Sequence, residues 1–229
     1  LPDDVWVVAP ETDQSGKSHS RTLTEPIRLR YIDTQHIALR GTPTDCVIMG
    51  IRSVMLDNPP DLVLSGVNRG QNVAEDVTYS GTIAGAMEGT ILGVPSIALS
   101  QAYGPDTFEG GMHWDCAKTH APGLITKIMA LGIESNTLIN MNFPNCPAAD
   151  IAGVAITQQG RRDAQFLKID PRRDGRGNPY YWIAFERARY VPAAGTDLEA
   201  LASNKISVTP LRLDLTHRRA MTKLQDALT

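Results

Sequence analysis

The stretch LVLSGVNRGQN, residues 62–72, decides the fold. Leu62, Val63 and Leu64 form an unbroken apolar run, and Val67 is the only apolar residue between Ser65 and Asn72. An apolar run without polar alternation suits a strand covered on both faces, as in a parallel sheet flanked by helices. The reading predicts a buried strand over 61–65 that stops at Ser65, followed by a polar loop with two glycines. In open α/β sheets, ligands bind beyond the carboxyl ends of the strands.

The sequence on either side of this strand repeats the pattern. Upstream, Val5–Ala9 is a short apolar strand closed by Pro10, followed by the polar loop ETDQSGKSHS, 11–20. Leu23–Ile32 reads as extended and His36–Leu39 as a further strand. GTPTDCVIMGIRSVML, 41–56, starts a helix: Thr42-Pro43 supplies cap and first turn, and apolar residues recur at Val47, Ile48, Ile51, Val54 and Met55. Downstream, Ser80–Leu92 is a small-residue helix, PSIALS (95–100) a strand, Trp114–Met129 a helix and TLINMNFP (137–144) a strand. Strand–helix alternation over 1–150 predicts an α/β fold with a doubly wound, mostly parallel, Rossmann-like sheet. Beyond 150, strands at Val154–Gln158, Pro179–Phe185 and Lys205–Pro210 lack strong helices between them. A charged loop, DPRRDGRGN, occupies 170–178. Residues 151–229 are therefore expected to form a β-rich extension or arm for oligomerisation, with a C-terminal helix from about Thr216.

Composition narrows the functional classes. The 229 residues carry a formal net charge of -3, which argues against a general nucleic-acid binder. A local phosphate pocket stays possible. Cys46, Cys116 and Cys146 are widely spaced with no CxxC, so neither a disulfide framework nor a zinc knuckle is expected, and the reading is a reducing, cytoplasmic compartment. No apolar run reaches the roughly 18 residues of a membrane span. The five histidines are scattered and read as surface or capping residues. Arg161-Arg162 and Arg172-Arg173 read as solvated loop charges.

Three polar loops fall at strand ends: PETDQSGKS, SGVNRGQN and the approach to Ser80-Gly81-Thr82. Gly16 and Gly81 would let backbone N–H groups approach an anion, and the head of the 80–92 helix adds its dipole. Ser80, Gly81 and Thr82 thus suit a phosphate cradle, and equally an ordinary N-cap. The Asn68 carbonyl oxygen could face a hard cation such as Mg²⁺, or Asn68 could stabilise its own turn. Ser15, near Asp13 and Glu11, reads the same two ways. GTPTDC, with Cys46, is read as structural.

The blocks VVAPETDQSGKSHS, GTPTDCV, PDLVLSGVNRGQN, YSGTIAGAMEGTILGVPSIALS, PYYWI and GTDLEALASNKISVTPLRLDLT, in this order, closely resemble the SurE family of nucleoside-monophosphate phosphatases. The resemblance implies the SurE fold and hydrolysis of nucleoside 5′- and 3′-monophosphates with one divalent cation, Mg²⁺ or Mn²⁺, per subunit. Ser15 and Asn68 match two of the family's metal ligands. Gly16, Asn68, Ser80, Gly81 and Thr82 would lie along the phosphate. It also implies dimers or tetramers built with extended arms. The family's remaining ligands are an aspartate pair in an Asn-Asp-Asp-Gly motif upstream of VVAP, and that motif is absent here. Asp3-Asp4 precedes a strand and is not followed by glycine, so it is no substitute. The expectation is that an upstream strand carries the pair. A non-catalytic nucleotide-binding module is the alternative. No GxGxxG follows a strand, which speaks against a dinucleotide oxidoreductase.

Overall fold

The computed structural model describes residues 4–104, 111–162, 167–185 and 191–229. Asp3 lies outside them. A first sheet holds β1 (Val7–Pro10), β2 (Arg28–Tyr31) and β3 (His36–Arg40) in the order β1-β3-β2. β1 runs parallel to β3, and β2 antiparallel to it. Helix α1 (Pro43–Met49) follows and continues into a π-helical turn, Gly50–Val54. Its start is as predicted: the Thr42 hydroxyl accepts from Asp45 N while the Asp45 carboxylate accepts from Thr42 N, a reciprocal capping box.

The main sheet has the order β4-β5-β6-β10-β7. β4 is Val63–Arg69, β5 Ser96–Gln101, β6 Thr137–Phe143, β7 Val154–Ile156 and β10 Ile206–Arg212. β4, β5 and β6 are mutually parallel, β10 enters antiparallel to β6, and β7 is parallel to β10. The connections are α2 (Asp76–Tyr79), α3 (Gly81–Ile91), α4 (Trp114–Leu131) and, before β10, α5 (Asp197–Ala202). Ile97, Leu99, Met141 and Phe143 pack with Cys116 and Ile125 of α4 to form the largest core cluster. The doubly wound, mostly parallel expectation holds. Two strands from beyond residue 150, β7 and β10, pair into this sheet. What stands outside it is the hairpin of β8 (Leu167–Arg173) and β9 (Pro179–Phe185), which among the described residues pair only with each other, and the final helix α6 (Arg218–Leu228).

β4 departs from its reading in two ways. It does not stop at Ser65 but runs on, pairing Asn68 with Ser100 and Arg69 with Gln101 across an irregularity between Ser65 and Asn68. Gly66 takes φ +135° there, and a Cβ would collide with the Leu99 carbonyl oxygen, so only glycine permits this passage. Side-chain polarity hid the continuation because ladder pairing is a backbone property. Nor is β4 buried throughout: Leu64 is 43% exposed. Among the described residues β4 pairs only with β5 and β1 only with β3. α1 bridges the two sheets. Its π-helical continuation places Gly50 against Val8, while Gly85 of α3 sits between Val47 of α1 and Ser65 of β4.

Cys46, Cys116 and Cys146 are buried free thiols, Cys46 in the structural setting read for GTPTDC. Burial pushes Cys46 and Cys116 up to about 12, so neither is a nucleophile at neutral pH. No helix among the described residues is long and apolar enough to cross a membrane.

Candidate phosphate and metal site

The loop after β1 turns at Gly16, whose φ is +73°. Just before it, Asp13 accepts from the Ser15 hydroxyl at 2.6 Å and from Ser15 N at 2.8 Å. These two bonds hold the Asp13 carboxyl below its usual range, so it remains ionised and fixes Ser15. The loop is then tied down from a distance. Ser18 N donates to Tyr79 O at 3.1 Å and Ser18 Oγ to Thr78 O at 2.6 Å. His19 Nε2 lies 2.8 Å from the buried Glu88 carboxylate of α3. A Cβ placed at Gly81 would lie 3.8 Å from Gln14 O. The Ser15–Gly16 loop is therefore seated on the head of α3.

At that head, Ser80 is the N-cap and accepts from Ile83 N at 3.1 Å, so the ordinary capping reading of Ser80 is met. The first i→i−4 bond is Ala84 N to Ser80 O. The amides of Gly81 and Thr82 precede it and belong to the donors that a helix cannot satisfy itself. With the dipole of an eleven-residue helix behind them, they suit an anion.

Asn68 stands at the far end of β4. Its Nδ2 donates to Gly70 O at 2.8 Å, which turns Oδ1 away as the remaining donor atom. Gly70 N in turn donates to Gln101 O at 2.8 Å. The loop beyond is held from below by a buried amide cluster. Asn72 N donates to Asn142 Oδ1 (2.8 Å), and Asn72 Nδ2 to Ser100 Oγ (2.7 Å). Asn72 O accepts from Asn140 (2.8 Å) and from Asn142 (3.2 Å), and Asn142 also donates to Asn140 Oδ1 (3.0 Å). A second network holds the segment that follows. Asp197, fully buried, accepts from Ala74 N, Gly160 N and its neighbour Leu198 N. Burial raises its pKa despite these amides.

Arg162 is a correction. It is not a solvated loop charge: its side chain is 16% exposed and binds both Asp76 carboxylate oxygens, at 2.9 and 2.6 Å, with Val73 O at 3.1 Å. A sequence window shows a charged loop; the partner lies 86 residues away. The asparagine cluster also escaped the reading, although a signal exists. Asn140 and Asn142 occupy alternate positions of β6, hence one face of a strand otherwise apolar in its centre. His217 meets the capping reading, accepting from Ala220 N at the start of α6, whereas His19 reaches Glu88 and His120 reaches Ala148 O.

By donor type, Ser15 Oγ and Asn68 Oδ1 fit a hard cation, with the ionised Asp13 beside the former. Among the described residues no group of three or more His, Cys, Asp or Glu side chains could hold a metal by itself.

Fold and loops together define a doubly wound α/β protein with polar, glycine-bearing loops at its strand ends, one of them seated on a helix head. The family description "Survival protein SurE" matches residues 1–166, and the chain belongs to the SurE family. It is similar to proteins named 5′-nucleotidase SurE from Beijerinckia indica subsp. indica (61% identical over 229 residues, spanning 100% of this chain and 87% of that one), Methylorubrum extorquens (61% over 227 residues, 99% and 89%) and Rhodopseudomonas palustris (59% over 230 residues, 100% and 90%). Among solved structures it is similar to the SurE protein from Aquifex aeolicus, at TM-score 0.83 and 40% identity over 97% of this chain and 88% of that one.

Proposed function

We propose that this chain is a divalent-metal-dependent phosphatase that hydrolyses nucleoside 5′-monophosphates, and 3′-monophosphates in addition, to nucleoside and phosphate. It is an enzyme of the phosphoric monoester hydrolase class, as the names of its relatives, 5′-nucleotidase SurE, indicate. The observation that carries the reading is the seating of the Ser15–Gly16 loop on the head of α3. A phosphate dianion bound there would meet the Gly81 and Thr82 amides and the α3 dipole, with Gly16 and Ser80 along its flank. Ser15 and Asn68 would hold a single Mg²⁺ or Mn²⁺. When bound, that ion supplies neutralisation of phosphoryl charge and acidifies a water. The protein's own part is preorganisation: fixed amide and hydroxyl dipoles need no reordering as charge moves toward the leaving oxygen.

Phosphate release from AMP or GMP, assayed with Mn²⁺ or Mg²⁺ and again with excess EDTA, tests this reading. Activity is expected with metal and is lost with EDTA; turnover undiminished in EDTA overturns the metal mechanism. A nucleotide-binding module without catalysis is the second reading, since among the described residues no group of three or more His, Cys, Asp or Glu side chains could hold a metal by itself. Tight AMP binding with no release of phosphate would establish it.

The protein also self-associates, as a dimer or tetramer, through the β8–β9 hairpin. Trp182 and Tyr180 lie on one face of β9, and Tyr181 and Ile183 on the other; all four are exposed. A two-stranded ribbon with apolar groups on both faces lacks a core of its own, and a second protomer would cover it.

A further inference from the structure

We infer that Asn142, with Ser100, is a positioning residue for the site: from the interior strands β6 and β5 it sets where the Asn68 carbonyl oxygen stands. The inference rests on the reading of Asn68 as a metal ligand and goes beyond it to residues that touch neither metal nor phosphate.

The linkage can be followed bond by bond. Asn68 is oriented by its Nδ2 bond to Gly70 O. Gly70 is therefore the reference point, and its own place depends on how the chain leaves β4. On one side it is fixed by its amide bond to Gln101 O at the end of β5. On the other side, two residues on, Asn72 is gripped at three of its polar groups. Its amide donates to Asn142, its carbonyl accepts from Asn140 and Asn142, and its side chain donates to Ser100. Asn142, Asn140 and Ser100 are fully buried, on strands β6 and β5. Register aligns them: Ser100 pairs with Asn142, and Asn68 pairs with Ser100, so one row crosses three strands.

The chemistry of the cluster supports a placing role over a packing role. Filling this space would need only aliphatic groups. Three buried amides and a hydroxyl cost desolvation that is recovered only if each bond is made, and such bonds fix one geometry. Outer-shell hydrogen bonds of this sort, when removed, typically cost about 10–100-fold in metal affinity or activity.

The experiment is Mn²⁺ titration of the intact protein, by calorimetry or by electron paramagnetic resonance of the free ion, for wild type, Asn142→Leu, Ser100→Ala, Asn68→Ala and the double variant Asn68→Ala/Ser100→Ala. Melting temperatures are recorded alongside. Asn142→Leu should weaken Mn²⁺ toward the upper end of the roughly 10–100-fold range and Ser100→Ala toward the lower end. Ser100→Ala, the milder change, keeps the test decisive if Asn142→Leu does not fold. In the Asn68→Ala background, Ser100→Ala should cost no further affinity, because its effect runs through Asn68. Ser100→Ala binding Mn²⁺ as wild type does, or weakening it equally with and without Asn68, overturns the positioning role. If wild type binds no Mn²⁺, the reading of Asn68 as a ligand fails first and takes this inference with it. A drop in melting temperature alone, with Mn²⁺ affinity unchanged in every folded variant, shows a purely structural cluster.

Discussion

β5 and β9 are strands of nearly the same length with opposite fates, and the more apolar of the two is the more exposed. β5, Ser96–Gln101, is buried at every position, between β4 and β6 and under α3 and α4. β9, which reads PYYWIAF, leaves Trp182 57% and Ile183 70% exposed. Apolar content alone would assign the burial the other way round. Their neighbours decide it: β5 has a strand on each side and a helix layer over each face, while β9 has only β8. Apolar residues in a strand call for a cover, and whether the cover comes from the same chain or another is settled by topology.

Alanine substitutions on the two sides should break or sharpen this contrast. Phe143, fully buried at the end of β6, should cost about 3–5 kcal/mol when replaced by alanine, read from denaturant unfolding. Trp182→Ala, for a residue with the larger side chain, should change the stability of the isolated subunit by within about 0.5 kcal/mol. A Trp182 loss approaching that of Phe143 in dilute protein would mean that the hairpin folds back on its own subunit.

Asn68→Ala lies between these extremes. It sits at the border of the buried sheet, so its loss should hardly move the melting temperature yet lower turnover by roughly 10²–10³, as removal of a preorganised group does. A variant that melts far earlier, or hydrolyses AMP at the normal rate, makes Asn68 a turn residue only.

The hairpin's effect should appear in association. Light scattering over a concentration series should show a dimer or tetramer, and Trp182→Asp should shift it toward the single chain. A wild-type mass of one chain throughout rejects the arm as an interface.

The smallest effect concerns pH. Burial would raise the Asp45 carboxyl, but hydrogen bonds from Thr22 and Thr42 outweigh it and hold the pKa below the usual 3.8. A carboxyl lowered in the folded state contributes stability above about pH 3.8, and that contribution is lost as pH falls through the lowered value. Asp45→Asn should cost about 0.5–2 kcal/mol near neutrality, with the gap to wild type closing in acid. A gap independent of pH would assign the loss to shape.

The alternation of strands and helices, the capped start of α1 and the glycine-bearing loops were legible in the sequence. Each depends on local causes: side-chain period, cap chemistry and the conformational freedom of glycine. The passage of β4 through Gly66, the entry of β7 and β10 into the main sheet, the Arg162–Asp76 pair and the asparagine cluster under the site were decided only in the tertiary structure. Each joins groups distant in the chain, as Asn72 and Asn142 are 70 residues apart, and no local preference of either residue specifies which partner will satisfy it once both are buried.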